Sequence, residues 1–188
     1  GGGDSCKTAN NNQVIPTGAF TMAGWLHRTS DTGTHEQMVR IQASAGSSHG
    51  EFRIQHHASA TDYEDKIACN FGGGTAYGTT SVPENEWVHW ACSYDGSSGT
   101  KIYYNGISDL NSSISTTMPS SSVGNGYVWV GGRMAGDGDE SFYGYQDNLT
   151  FYNVQLSDSQ ILEHKNGSIP QTDNVLVFYD FEDTEYTG

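Results

Sequence analysis

Apolar residues in this chain come in short bursts, and within most bursts they alternate with polar or small ones. Over residues 20–27, Phe20, Met22 and Leu26 alternate with Thr21, Ala23, Trp25 and His27. A period of two places one set on each face of a β-sheet. Residues 38–42 form a short candidate strand, and residues 51–57 put Phe52 and Ile54 on one face with Arg53 and Gln55 on the other. Residues 66–71 follow and stop at Gly72-Gly73-Gly74. The strongest strand spans residues 87–94: Val88, Trp90, Cys92 and Tyr94 share one face, Trp87, His89, Ala91 and Ser93 the other. Asp95-Gly96-Ser97-Ser98-Gly99 then reads as a hairpin loop, residues 101–104 as the returning strand, and Asn105-Gly106 as a further tight turn. Later strands are expected at 127–131, 144–152 and 175–181.

One helix is expected, over residues 157–166. Ser157 is a good N-cap, Gln160 stands where a capping box needs it, Ile161 and Leu162 supply an apolar contact, and Gly167 can end the helix in the left-handed conformation. Residues 111–122 are polar and Ser-rich, which predicts a loop. Many short strands, separated by turn signals and free of any repeat or linker, predict one all-β domain over residues 1–188.

Composition narrows the function. The chain has 188 residues, enough for a substantial core, and only 16% of them are charged. Acidic residues number 22 against 8 Lys and Arg, for a net charge of −14. A nucleic-acid backbone or an anionic membrane surface would be repelled, and no apolar run is long enough for a bilayer-spanning helix. The chain opens at Gly1 with no charged-then-apolar leader, which reads as a processed product or an excised domain. Its three cysteines, Cys6, Cys69 and Cys92, are too few for a disulfide scaffold and contain no Cys-x-x-Cys pair that would suggest zinc.

Three stretches resemble one family. They are Gly18-Ala19-Phe20-Thr21-Met22-Ala23-Gly24-Trp25-Leu26; Glu86-Trp87-Val88-His89-Trp90-Ala91-Cys92-Ser93-Tyr94-Asp95-Gly96 with Ile102-Tyr103-Tyr104-Asn105-Gly106; and Gly144-Tyr145-Gln146-Asp147-Asn148-Leu149-Thr150-Phe151-Tyr152-Asn153 with the helix after it. In this order they resemble laminin-G-like domains of the concanavalin A-like lectin/glucanase superfamily, close to its pentraxin-like branch. Residues 175–181 look like the family's closing strand. The resemblance implies a jelly-roll β-sandwich of two antiparallel sheets with one short helix near the C-terminus, in agreement with the strand pattern.

The superfamily holds lectins, adhesion modules, hydrolases and structural proteins, so function rests on the site. Glucanase-type catalysis needs two carboxylates about 5–5.5 Å apart for a retaining mechanism. The acidic clusters at residues 62–65, 137–140 and 182–185 lack the Glu-x-Asp-x-Glu spacing on a strand, and no nucleophile elbow is present, so no enzyme is expected. The resemblance implies calcium, with Asp137, Asp139 and Glu140 where pentraxin-like proteins carry an acidic calcium loop and Asp147 as a nearby oxygen donor. The segment matching the pentraxin Asp-Asn pair reads Ser47-Ser48-His49-Gly50 and lacks carboxylates. The pentraxin bridge lacks its second cysteine here; if a disulfide forms, the expected pair is Cys69 with Cys92.

Seven scattered histidines are expected at the surface or satisfied in the interior. Sugars stack on aromatic rings, and Trp25, Trp87, Tyr103, Tyr127 and Tyr143 are the candidate contributors. Trp90 and Trp129 are expected to pack between the sheets. The leading expectation is a non-catalytic extracellular recognition or adhesion module that binds glycan or another surface ligand, with oligomerisation allowed. The alternative is a structural or decoration protein on a virus particle or other extracellular assembly. A polysaccharide hydrolase ranks third.

Overall fold

The computed structural model describes residues 6–7, 18–31, 33–43, 48–55, 63–71, 74–97, 99–111, 126–132 and 140–181. They form a sandwich of two six-stranded sheets in which every strand pairs antiparallel to its neighbours. The first sheet runs β1 (Cys6–Lys7), β10 (Gly126–Val130), β3 (Glu36–Ala43), β4 (Ser48–Gln55), β5 (Lys66–Phe71), β6 (Gly74–Ser81). The second runs β12 (Val175–Tyr179), β11 (Gly144–Tyr152), β2 (Phe20–Arg28), β7 (Trp87–Tyr94), β8 (Thr100–Tyr104), β9 (Ile107–Ser108). One helix, α1 (Asp158–Lys165), and a 3-10 turn, Thr172–Asn174, join β11 to β12.

The alternation in the sequence sets the packing. Phe20, Met22 and Leu26 of β2 and Val88, Trp90, Cys92 and Tyr94 of β7 face the interior, against Val39, Ile41, Ile54, Ile67 and Cys69 of the first sheet. Each large apolar side chain buried this way contributes roughly 1.5–3 kcal/mol relative to exposure. Trp90 packs between the sheets as expected. Trp129 does not: Val128 and Val130 on either side of it enter the core, and the period of two turns Trp129 to the opposite face, where it is half-buried.

Some elements depart from the pattern. β6 is not expected from the pattern, because the buried apolar side chain it contributes is Ala76 and its large ring, Tyr77, is half-buried against Tyr63. β4 lies three residues N-terminal to expectation at its start and ends at Gln55, where its pairing with Lys66 of β5 runs out. His56 and His57 lie outside the described residues. β12 stops at Tyr179; Phe181 has φ of 53°, which no strand tolerates. The helix forms as expected, with Ser157 as N-cap and the reciprocal capping box to Gln160 complete.

Two features fix the ends of the second sheet. At the Arg28 end, the guanidinium crosses the interior to Glu36 of the first sheet, with Nη2 to Oε1 at 2.7 Å, and reaches Asp65 before β5 at 2.7 Å. Arg28 and Glu36 are both buried, so this bridge is worth little against an apolar pair but costs heavily if one partner is removed. At the other end, the Asn105-Gly106 turn has φ of 49° and 80°. A Cβ at Gly106 would also sit 3.1 Å from Leu162 of α1, so glycine serves both the turn and the helix contact.

Candidate functional site

The outward face of the second sheet divides into two halves. In one, α1 and its flanks close over the strands. Ala23 of β2 and Ala91 of β7 sit side by side in register, and their small side chains let the helix approach. Ile161 and Leu156 pack there with Tyr103 and Tyr152, forming a second, smaller core. Tyr103 donates its hydroxyl to Asp158 at the start of α1, at 2.7 Å. That bond, with Lys101 beside it, holds the Asp158 carboxyl below its ordinary range.

The other half is open. At the level of His27 the sheet is three strands wide among the described residues, because β8 joins β7 from Trp90 onward and β12 joins β11 from Leu149 onward. Register places Trp87 of β7 opposite His27 of β2, and His27 opposite Tyr145 of β11. The three rings form a row across the strands. Centroids lie 5.4 Å apart for Trp87 and His27 and 5.8 Å apart for His27 and Tyr145. Trp87 is 47% exposed and Tyr145 is 64% exposed. Gly144 brings β11 close enough to seat Tyr145: an added Cβ there would lie 2.0 Å from the His27 carbonyl oxygen.

Trp25 lies one step inward on the same face, half-buried, with its ring edge-on to His89 at 5.4 Å. It lines a recess of about 20 Å³ with Asn148, His164 and Ile169, too small for a sugar. The boundary between the halves is a buried histidine pair. His89 Nε2 lies 2.9 Å from His164 Nδ1, and His164 Nε2 lies 3.0 Å from the Thr150 hydroxyl. Burial pushes His89 down to about 3, with the neighbouring His164 and Lys165 adding to it, and burial alone pushes His164 down to about 4. Both rings are therefore neutral at neutral pH, and one donates to the other.

Several expected site residues are placed elsewhere. Tyr103 is fully buried beneath α1 and offers no surface to a ligand; a hydroxyl satisfied by Asp158 made burial of that ring tolerable. Tyr143 is half-buried before β11, and its carbonyl accepts from the Thr29 amide at 2.9 Å. Tyr127 occupies β10, and its side chain lies outside the described residues. Of the expected calcium ligands, Asp137 and Asp139 also lie outside them. Glu140 accepts from Gln37 of the first sheet at 3.2 Å. Asp147 faces outward from the second sheet opposite Trp25, and its Oδ1 accepts from the Asn148 amide at 2.7 Å in a bulge where Asn148 has φ of 50°. Glu140 and Asp147 thus serve different sheets, and Asp147 acts as a structural acceptor. Among the described residues no group of three or more His, Cys, Asp or Glu side chains gathers to hold a metal ion. Cys69 and Cys92 are free thiols, not a bridge. They meet in the core at hydrogen-bonding range, and burial followed by that contact pushes the Cys92 thiol up.

His27 and Tyr145 were not anticipated. Alternation placed His27 on the outward face, but only the three-strand register brings it between Trp87 and Tyr145.

A family model of the concanavalin A-like lectin/glucanases superfamily matches residues 1–162. The chain belongs to that superfamily. Solved structures with the same fold include a Bacteroides ovatus protein assigned provisionally to carbohydrate binding, with TM-score 0.73 and 19% identity over 97% of this chain and 51% of that one. The chain thus spans about half the length of that protein. A heptameric SAP-like pentraxin from Limulus polyphemus matches with TM-score 0.64 and 14% identity, over 94% of this chain and 92% of that one. Domain 4 of an extracellular GH43 arabinanase from Geobacillus stearothermophilus, in complex with arabinotriose, matches with TM-score 0.58 and 19% identity, over 85% and 71%. At these identities the likeness establishes the fold. No curated protein matches the chain.

Proposed function

We propose that the protein is a non-catalytic, extracellular carbohydrate-binding module whose binding surface is the Trp87–His27–Tyr145 row. The observation that carries this reading is the exposure of two large aromatic side chains in a continuous row on a rigid sheet. A contiguous exposed aromatic row rimmed by polar groups marks a binding site. A pyranose presents an apolar face to such rings and its hydroxyls to the polar rim. The six outward positions at this end are Trp25, His27, Trp87, His89, Tyr145 and Asp147, with no lysine or arginine among them. With a net charge of −14, the surface favours neutral glycans over polyanionic ones. Stacking needs no metal, so binding is independent of calcium.

Affinity electrophoresis against neutral polysaccharides (cellulose derivatives, xylan, mannan, arabinan, β-1,3-glucan) and against heparin tests the proposal. Retardation by at least one neutral polymer and none by heparin is expected. It persists in chelator, and no reducing sugar is released. Trp87→Ala and Tyr145→Ala each weaken retardation by about ten-fold, the loss of one stacked ring at roughly 1–1.5 kcal/mol. Absence of binding to every neutral polymer, or binding untouched by both substitutions, overturns the reading.

A further inference from the structure

The row does not end at Tyr145. Beyond the edge of β11, which no described strand pairs at this level, lies a cleft of about 260 Å³ lined from both sheets. Tyr145 lines it as well as the row, together with Phe142, Gln146 and Phe181. Phe181 is 50% exposed and lies in parallel against Tyr179, with centroids 5.9 Å apart and planes 23° apart. The cleft therefore has an aromatic wall continuous with the open row. It also has a polar group in want of a partner. Gln146 donates through Nε2 to the Met38 carbonyl at 3.1 Å. Its Oε1 is buried with no hydrogen-bond partner among the described residues. A buried acceptor left unsatisfied is destabilising and calls for a donor; a sugar hydroxyl in the cleft supplies one when the Gln146 side chain turns toward it.

Resting on the carbohydrate-binding reading above, we infer that the Trp87–His27–Tyr145 row and the Phe181–Gln146 cleft are consecutive subsites for one neutral oligosaccharide segment. A single sugar ring covers one aromatic ring. Two ring-to-ring steps of 5.4 and 5.8 Å followed by a cleft accommodate several linked sugars. The row grips the chain by stacking, while the cleft takes the sugar that passes over the edge of β11 and reads its hydroxyls through Gln146. Selectivity for chain length and for the sugar in the cleft follows from this division.

Calorimetric titration with cello-, xylo-, manno-, arabino- and laminari-oligosaccharides, each from monosaccharide to hexasaccharide, tests the subsites. Affinity is expected to rise at least ten-fold from the monosaccharide to the longer members of the bound series and then to level off. Phe181→Ala and Gln146→Leu lower the affinity of the longer members and leave that of the disaccharide unchanged, whereas Trp87→Ala lowers both. Gln146 also touches the core, so circular dichroism confirms the fold of that variant, and Phe181→Ala, at an exposed position, carries the test alone if Gln146→Leu misfolds. A monosaccharide that binds as tightly as the hexasaccharide overturns the inference. So does a length dependence that Phe181→Ala leaves intact. Failure of every oligosaccharide and every polymer to bind overturns instead the carbohydrate-binding reading on which the inference rests.

Discussion

The two halves of one sheet face have opposite fates. Near Ala23 and Ala91 the face is flat and small, and α1 settles on it. Near His27, Trp87 and Tyr145 it carries large rings that no described element covers. Both halves run along the same strands β2, β7 and β11, but β8 and β12 pair with them only in the half under α1, and side-chain size adds to the difference. Alanines on adjacent strands leave room for a helix and are buried by it, which turns outward residues into a second core. Tyr103 and Tyr152 are buried around the alanines together with the helix, whereas Trp87 and Tyr145 stay exposed. Stability and recognition are thereby assigned to neighbouring stretches of the same strands, with the His89–His164 pair at the seam.

This contrast breaks if the sealed half proves dispensable for stability. Ile161→Ala is expected to destabilise by about 2–4 kcal/mol, the range for truncating a fully buried branched side chain. Urea denaturation measures it, and a cost below about 1 kcal/mol means α1 is not fastened as described. Glycan affinity of the folded variant should be unchanged.

The seam responds to pH. His89 and His164 are held below the ordinary histidine value, at about 3 and about 4. A depressed value in the folded state means the unfolded chain binds protons first, so stability is full above about 6.5 and falls as pH drops toward 4 and below. The melting temperature should decline through that window. His164→Gln should flatten the decline between pH 6.5 and 4; an unaltered profile removes the pair as its source.

A smaller effect is expected at the helix start. Ser157→Ala removes the N-cap acceptor for the Gln160 amide and should cost about 1 kcal/mol. Hydrogen exchange in α1 should quicken while exchange in β2 and β7 stays slow.

The smallest stability change belongs to the open half. Tyr145→Ala and Trp87→Ala should each alter stability by no more than about 0.5 kcal/mol, as for exposed positions, despite their effect on glycan retardation. Should either substitution cost as much as Ile161→Ala, the row is part of the packed structure and the contrast between the halves is lost.

Much of this was written in the sequence, and the boundary between what was and was not follows from range. Alternation along β2 and β7 is a local property, so the inward set Phe20, Met22, Leu26, Val88, Trp90, Cys92 and Tyr94 was legible without a partner strand. The capping box at Ser157 and Gln160 and the turn at Asn105-Gly106 are local as well, and both form as expected. The sequence on its own also told that Trp87 and His27 point away from the core. It could not tell that they are neighbours, because register between strands 60 residues apart depends on hydrogen bonding across the sheet. Nor could it tell that Tyr103, outward by alternation, would be sealed beneath a helix that begins 55 residues later, or that Asp147 would be consumed by its own bulge. Alternation assigns a side chain to a face, and only the packing of distant elements decides whether that face is covered or left open to a ligand.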